Sequence, residues 1–239
     1  MQRFQQKPKV VRALALAGAF GLLIASAVAP GALAHARHAA AHHHRQGARR
    51  EHGHTQRGID VSHFQGAINW RDVAHDHVSF AYIKATEGAD SRDSRFARNW
   101  RGAERAGIRV GAYHYFNFCR SGRAQAANFL AATPRGSALP PAVDLEPPSG
   151  RCRVSGPAVH RELTAYLASV EHRDGRRAVL YVTPRFYRAY AHYLPERPMW
   201  RRSIAAKPAR GASWSFWQYR SRGHVAGIHS YVDLNLSGA

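Results

Sequence analysis

Two carboxylates two residues apart, Asp144 and Glu146, close the apolar run Pro140-Pro141-Ala142-Val143, and Pro147-Pro148 follow at once. Alternate residues of a strand face the same side, roughly 6.5–7 Å apart along the backbone, so a strand here aims both acids into one site. Crowding two carboxylates raises the pKa of one of them. One acid then holds a proton near neutral pH while its neighbour stays charged. Cleavage of a glycosidic bond requires that division, a proton donor beside an anionic helper. An isolated Asp-x-Glu is also a common cap, ion pair or metal contact, so the pair by itself decides nothing.

The elements around the pair supply the next constraint. From Gly58 onward, short apolar runs alternate with longer amphipathic ones. Strands are expected at Gly58–Val61, Ser79–Thr86, Arg109–Phe116, the Pro-bracketed stretch itself and Ala178–Val182, with weaker ones near Met199–Ser203, Ser215–Tyr219 and Tyr231–Leu234. Helices are expected at about Ser94–Ala106, stopped by Gly107, and at about Arg123–Ala132. A long one is expected at about Pro157–His172, where Val159, Leu163, Tyr166, Leu167 and Val170 recur at helical spacing. Thr183-Pro184 opens a further helix, Thr as cap and Pro in the first turn. Strands alternating with helices indicate parallel βαβ units. Eight candidates favour an α/β barrel, irregular and TIM-like, with little helix in its last third.

Chemistry in such barrels sits at the C-terminal ends of the strands. Asp60 ends the first strand, Asp144 and Glu146 end the fourth, and Asp233 lies in the eighth. The first and eighth strands become neighbours on closure, so all four acids converge on one mouth. Tyr82, Tyr113, Tyr115, Phe116, Tyr181, Trp200, Trp217 and Tyr219 lie at or near strand ends and have the flat faces that stack on sugars. Core packing remains the rival role for each ring. No Gly-rich phosphate loop occurs, and no nucleophile elbow surrounds Ser62-His63.

Residues 1–36 read as a separate segment. Arg3, Lys7, Lys9 and Arg12 precede the apolar run Ala13–Ala29, and A-x-A sites end at Ala34 and Ala36. This is the layout of a secretory signal peptide, with an uncleaved anchor as its rival. The chain is therefore expected to be exported, to the periplasm or outside the cell, without stable membrane insertion. Residues 37–56 carry most of the seven histidines that lie from His35 to His54 and little to bury, which suits a disordered linker. Its irregular spacing defines no metal site. Residues 57–239 form one domain, small for an eight-stranded barrel.

The net charge is +20, and removing the four leader cations, which no acid offsets, leaves +16. Scattered arginine of that density favours acidic cell-wall or envelope polymers in an exported protein, rather than nucleic acid. Cys119 and Cys152 are the only cysteines and most simply form one disulfide, two free thiols being the alternative.

Several segments carry a resemblance. Gly58-Ile59-Asp60-Val61-Ser62-His63-Phe64-Gln65-Gly66 through Ile68-Asn69-Trp70 resembles the opening motif of the glycoside hydrolase family 25 lysozymes. Phe80–Gly88, Gly111–Phe116, Leu139–Glu146, Trp217-Gln218-Tyr219, Gly227-Ile228 and Val232-Asp233-Leu234-Asn235 match further segments in order. The resemblance spans nearly all of 57–239. It implies an irregular β/α barrel that cleaves the β-1,4 bond between N-acetylmuramic acid and N-acetylglucosamine in peptidoglycan, as a monomer without metal or other cofactor. Glu146 would be the proton donor, Asp144 would orient the acetamido group or serve as second carboxylate, and Asp60 and Asp233 would complete an acidic floor. The candidate substrate contacts are Tyr82, Lys84, Glu87, Tyr113, Tyr115, Phe116, Tyr181, Trp200, Trp217 and Gln218.

One segment departs from the family. Met199-Trp200-Arg201-Arg202-Ser203 stands where many members carry Leu-Trp-x-Ala-x-Tyr, and Arg202 there could face an acidic or peptide part of the wall. A chitinase of the D-x-x-D-x-D-x-E type would need acids at 142 and 139, where Ala142 and Leu139 stand. An inactive, basic wall-binding module is the reading from another class.

Overall fold

The computed structural model describes residues 55–208 and 214–238. The expected signal peptide and nearly all of the expected linker lie outside the described residues. The strands are β1 (Arg57–Val61), β2 (Phe80–Glu87), β3 (Ser91–Arg92), β4 (Arg109–Tyr115), β5 (Ala142–Leu145), β6 (Val179–Val182), β7 (Met199–Arg202), β8 (Phe216–Gly223) and β9 (Val232–Ser237). Five α-helices accompany them: α1 (Trp70–His75), α2 (Phe96–Arg105), α3 (Gly122–Ala132), α4 (Gly156–Asp174) and α5 (Pro184–Tyr190). Eight strands close a barrel in the order β1-β9-β8-β7-β6-β5-β4-β2, with β1 pairing β2, and the two-residue β3 hangs on β2.

Local signals place these elements. Ser121, Ser155 and Thr183 cap α3, α4 and α5, each accepting a backbone N–H from the first turn. Gly175, at φ 74°, ends α4 in the left-handed conformation that glycine adopts without steric cost. The apolar stripe of α4, Val159, Leu163, Tyr166, Leu167 and Val170, is the buried set that its spacing predicts.

The expectation of parallel pairing fails at the end of the chain. β1, β2 and β4 to β8 pair in parallel around the barrel, but β9 runs antiparallel to both β8 and β1, as the short β3 does to β2. Residues 224–231 join β8 to β9 and contain no helix. So short a link cannot make the crossover that a parallel neighbour needs.

Strand alternation sorts side chains into two apolar bodies. Ile59, Val61, Ile83, Leu145, Leu180 and Val182 face outward, among those packed with the helices. Phe80, Tyr82, Val179, Tyr181, Trp200 and Phe216 belong to the body that fills the lumen. Gly111 makes room for it, because a Cβ there would stand 2.6 Å from the Tyr82 ring. The lumen is thus a packed plug, and the polar groups collect at the strand ends above it.

Candidate active site

Asp60 and Asp233 are direct partners across the β1–β9 pair. Side chains so paired stand about 4.5–5.5 Å apart at Cβ. Asp144, on β5, is registered between Tyr115 of β4 and Tyr181 of β6. Leu145 is fully buried in the outer core. Its neighbours Asp144 and Glu146 therefore turn the other way, toward the lumen mouth, as the two-residue spacing predicts. The structure brings all four acids into one electrostatic cluster.

Burial raises every member of that cluster, and repulsion from neighbouring acids adds to it at Asp60, Asp144 and Asp233. Asp60 is pushed up to about 6 by burial, against hydrogen bonds from Asn235 and Gln218, with the Glu146 charge adding to the rise. Burial drives Asp144 well above the usual carboxylate range, helped by Glu146 and Asp60 and opposed by Lys84. Asp233 is pushed up to about 8 by burial and by Asp60, while Arg202 and Ser221 hold it down. Glu146 is raised by burial, with Arg202 and Lys84 opposing. The mouth thus retains protons at pH values where ordinary carboxylates are charged, as acid catalysis requires.

The Asp60 carboxylate is gripped by a relay. Asn235 Nδ2 donates to its Oδ2 at 2.8 Å and Gln218 Nε2 at 3.1 Å. Each amide is oriented from behind: Trp200 Nε1 donates to Asn235 Oδ1 at 2.8 Å, and the Tyr181 hydroxyl donates to Gln218 Oε1 at 2.9 Å. Because the amide oxygens are occupied, the NH2 groups must face Asp60. Asp144 Oδ1, by contrast, is buried without a hydrogen-bond partner. Such an orphan is costly unless a substrate group satisfies it.

The candidate substrate contacts divide. Lys84 binds Glu87 at 2.6 Å and lies 5.0 Å from the centre of the Tyr115 ring, and Glu87 and Tyr115 border a cleft with Glu146. Tyr113 sits within the field of the acids, its hydroxyl pushed up by burial and by Asp60 and Asp144.

Other candidates are buried or turned away from the mouth. Tyr82 is fully buried, stacked on Trp200, with its hydroxyl donating to Pro140 O, so both rings belong to the lumen plug. Tyr181 and Gln218 are likewise buried and serve the relay. Phe116 is buried against Phe118 and Tyr166 and closes the cleft from within the core. Trp217 alternates with the inward Gln218, so it faces outward, where its Nε1 donates to Ser203 O. Sequence spacing locates aromatic residues at strand ends but not the side to which each ring turns.

Several functional neighbours escaped the sequence reading. Asn235 lies inside a matched motif, yet its role depends on the β9 register. Asp93 accepts from the His63 backbone N–H at 2.9 Å and bonds His63 Nδ1 at 2.7 Å, fixing the loop after β1. Phe64, on that loop, is 75% exposed, an open ring that its motif could have suggested. Cys119 and Cys152 form a disulfide with Cα atoms 5.9 Å apart, tying the segment after β4 to the segment after Glu146. Among the described residues, no group of three or more His, Cys, Asp or Glu is arranged to hold a metal ion.

Comparison with known proteins bears on this site. The family model described as glycosyl hydrolases family 25 matches residues 59–228. Lysozyme M1 of Streptomyces globisporus is 34% identical over 194 residues, covering 74% of this chain and 66% of that protein. YegX of Escherichia coli K12 is 37% identical over 191 residues, covering 76% and 69%. A family 25 glycosyl hydrolase from Bacillus anthracis superposes with a TM-score of 0.72 at 35% identity, covering 77% of this chain and 89% of that one. A bacterial lysozyme from Streptomyces coelicolor gives 0.68 at 33% identity, covering 77% and 92%.

Proposed function

The chain belongs to glycosyl hydrolase family 25, and from that premise we propose that it is an exported lysozyme that cleaves the β-1,4 bond between N-acetylmuramic acid and N-acetylglucosamine in peptidoglycan. The observation that carries this reading is the convergence of Asp60, Asp144, Glu146 and Asp233 on one mouth, all raised above their ordinary pKa.

Glu146 is the proton donor. Burial raises its pKa and so favours the protonated carboxyl, and it alone of the four lines the open cleft beside Glu87 and Tyr115. Its proton goes to the glycosidic oxygen as the C1–O bond breaks. Water then adds at C1, and its proton returns to the carboxylate cluster. Asp144 accepts the substrate's acetamido N–H on the otherwise unpartnered Oδ1. Asp60, held by Asn235 and Gln218, and Asp233 hold the protonation of the pair in place.

An inactive wall-binding module would have no use for buried, mutually repelling carboxylates, which reduce stability when ionised. Ala142 and Leu139 stand where the chitinase pattern requires acids. The test is digestion of purified peptidoglycan followed by borohydride reduction and identification of the new reducing ends. N-acetylmuramic acid ends support the reading. N-acetylglucosamine ends, or cleavage of chitin alone, contradict the bond assignment. Wall retention without new ends favours the binding module.

A further inference from the structure

Beyond the four acids, the cleft at Glu146 has a second compartment. A cavity of about 480 Å³ is bounded by the segment after Glu146 and by α5. It shares Pro147, Pro148 and Cys152 with the cleft that Glu146 borders, so the two adjoin along that segment. Arg153 comes from one wall and Arg185 from the other, α5, which also contributes Phe186 and Tyr190 to the lining. Among the described residues, no acid lines this cavity.

Neither guanidinium is paired with an acid among the described residues. Arg153 Nη1 donates to Gly150 O at 2.9 Å and to Cys152 O at 3.1 Å. Those carbonyls anchor one edge of the group without neutralising it, which leaves Nε and Nη2 to be satisfied elsewhere. Among the described residues Arg57, Arg161, Arg176 and Arg197, unlike Arg153 and Arg185, all have carboxylate partners. The wall carrying Arg153 is held in two places. The Cys119–Cys152 disulfide fixes it on one side, and the Tyr190 hydroxyl donates to Val154 O at 3.3 Å on the other. Arginine forks match planar carboxylates, and prolines and rings suit the apolar stretches between them.

We propose that this cavity binds a carboxylate of the peptide stem carried by the N-acetylmuramic acid unit, making the enzyme selective for stem-bearing glycan. The proposal rests on the muramidase reading above and adds to it a recognition site outside the four acids. Phosphate of a wall polymer shares the anionic chemistry, and the experiment separates the two sources.

Initial rates of the full-length protein would be measured on three substrates: phosphate-bearing walls, walls extracted to remove phosphate polymers, and extracted glycan whose stems have been removed by an amidase. The double variant Arg153→Ala/Arg185→Ala, altered only at exposed side chains, is measured alongside. Expected is a kcat/KM for the wild type about tenfold higher on extracted stem-bearing chains than on stripped chains. In the double variant this advantage should fall to within about twofold, with the stripped-chain rate unchanged. A variant that keeps the full preference, or a wild type that has none, overturns the proposal. A preference seen only on phosphate-bearing walls reassigns the cavity to phosphate and overturns the stem assignment. A wild type that cleaves none of the three overturns the muramidase reading and this proposal with it.

Discussion

Asn235 and Asp60 meet across the β9–β1 seam, the amide Nδ2 donating to the carboxylate Oδ2 at 2.8 Å. The contact exists because β9 inserts antiparallel between β8 and β1 and brings Asn235, 0% exposed, beside the lumen. Trp200 fixes the amide's orientation through its own hydrogen bond to Oδ1. Trp200→Phe keeps a ring in the plug but frees that oxygen, so the amide can turn its acceptor toward Asp60. The expected result is a fall in kcat of about tenfold with KM nearly unchanged, since a misplaced positioning group affects the transition state more than ground-state binding. Asn235→Asp sets a second carboxylate against Asp60 and should lower kcat further. A rise in KM alone in either variant would show that these residues contact substrate instead.

Arg202 and Lys84 hold the Glu146 carboxyl down against the effect of burial. Removing a nearby positive charge disfavours the ionised form and raises the pKa further. Arg202→Gln should therefore move the alkaline limb of the kcat profile, where Glu146 loses its proton, upward by about 0.5–1 pH unit. Lys84→Met should move it in the same direction by less. A downward movement would contradict Glu146 as the group that must be protonated.

The same raised values set a stability slope. Asp60 and Asp233 have folded pKa values of about 6 and about 8, above the ordinary 3.8. Between pH 4 and 8 the folded state binds more protons than the unfolded one, so their contribution is complete at low pH and is lost as pH rises through the folded values. Asp233→Asn removes the ionisation. Its stability relative to the wild type, measured by urea unfolding, should improve by about 1–3 kcal/mol between pH 5 and pH 9. A relative stability that is flat or declines over that range would show that Asp233 is charged in the fold.

The Cys119–Cys152 bridge spans a sequence separation of 33 and braces the segment that carries Pro147 and Pro148. In the chain-entropy model a loop of this size contributes about 3–4 kcal/mol. Cys119→Ser/Cys152→Ser should lower the urea midpoint accordingly and raise the denaturant slope, because the freed unfolded chain expands and exposes more surface. An unchanged midpoint would show that the bridge does not constrain the unfolded chain.

Much of the barrel was legible because its signals are local. Thr183-Pro184, the α4 stripe and the two-residue spacing of Asp144 and Glu146 each depend on neighbours within a few positions, and each appears in the structure as its chemistry requires. The antiparallel β9 was not, because pairing direction depends on what a connection can span rather than on the residues of the strand. Ring direction was also hidden. Tyr82 and Tyr115 look alike in sequence, but Tyr82 is sealed in the plug while Tyr115 opens onto the cleft. The short helix α1 was missed because its six residues are too few to show a period.

The central claim is that Glu146 gives its proton to the leaving oxygen. The direct measurement is the rate of reducing-end release from peptidoglycan by Glu146→Gln, a change that keeps the side chain's shape and removes its proton. General acid catalysis is worth about 10²–10⁴-fold, so release should fall by at least a hundredfold while the unfolding midpoint stays within a few degrees of the wild type. Release at the wild-type rate by a folded Glu146→Gln protein would contradict the assignment.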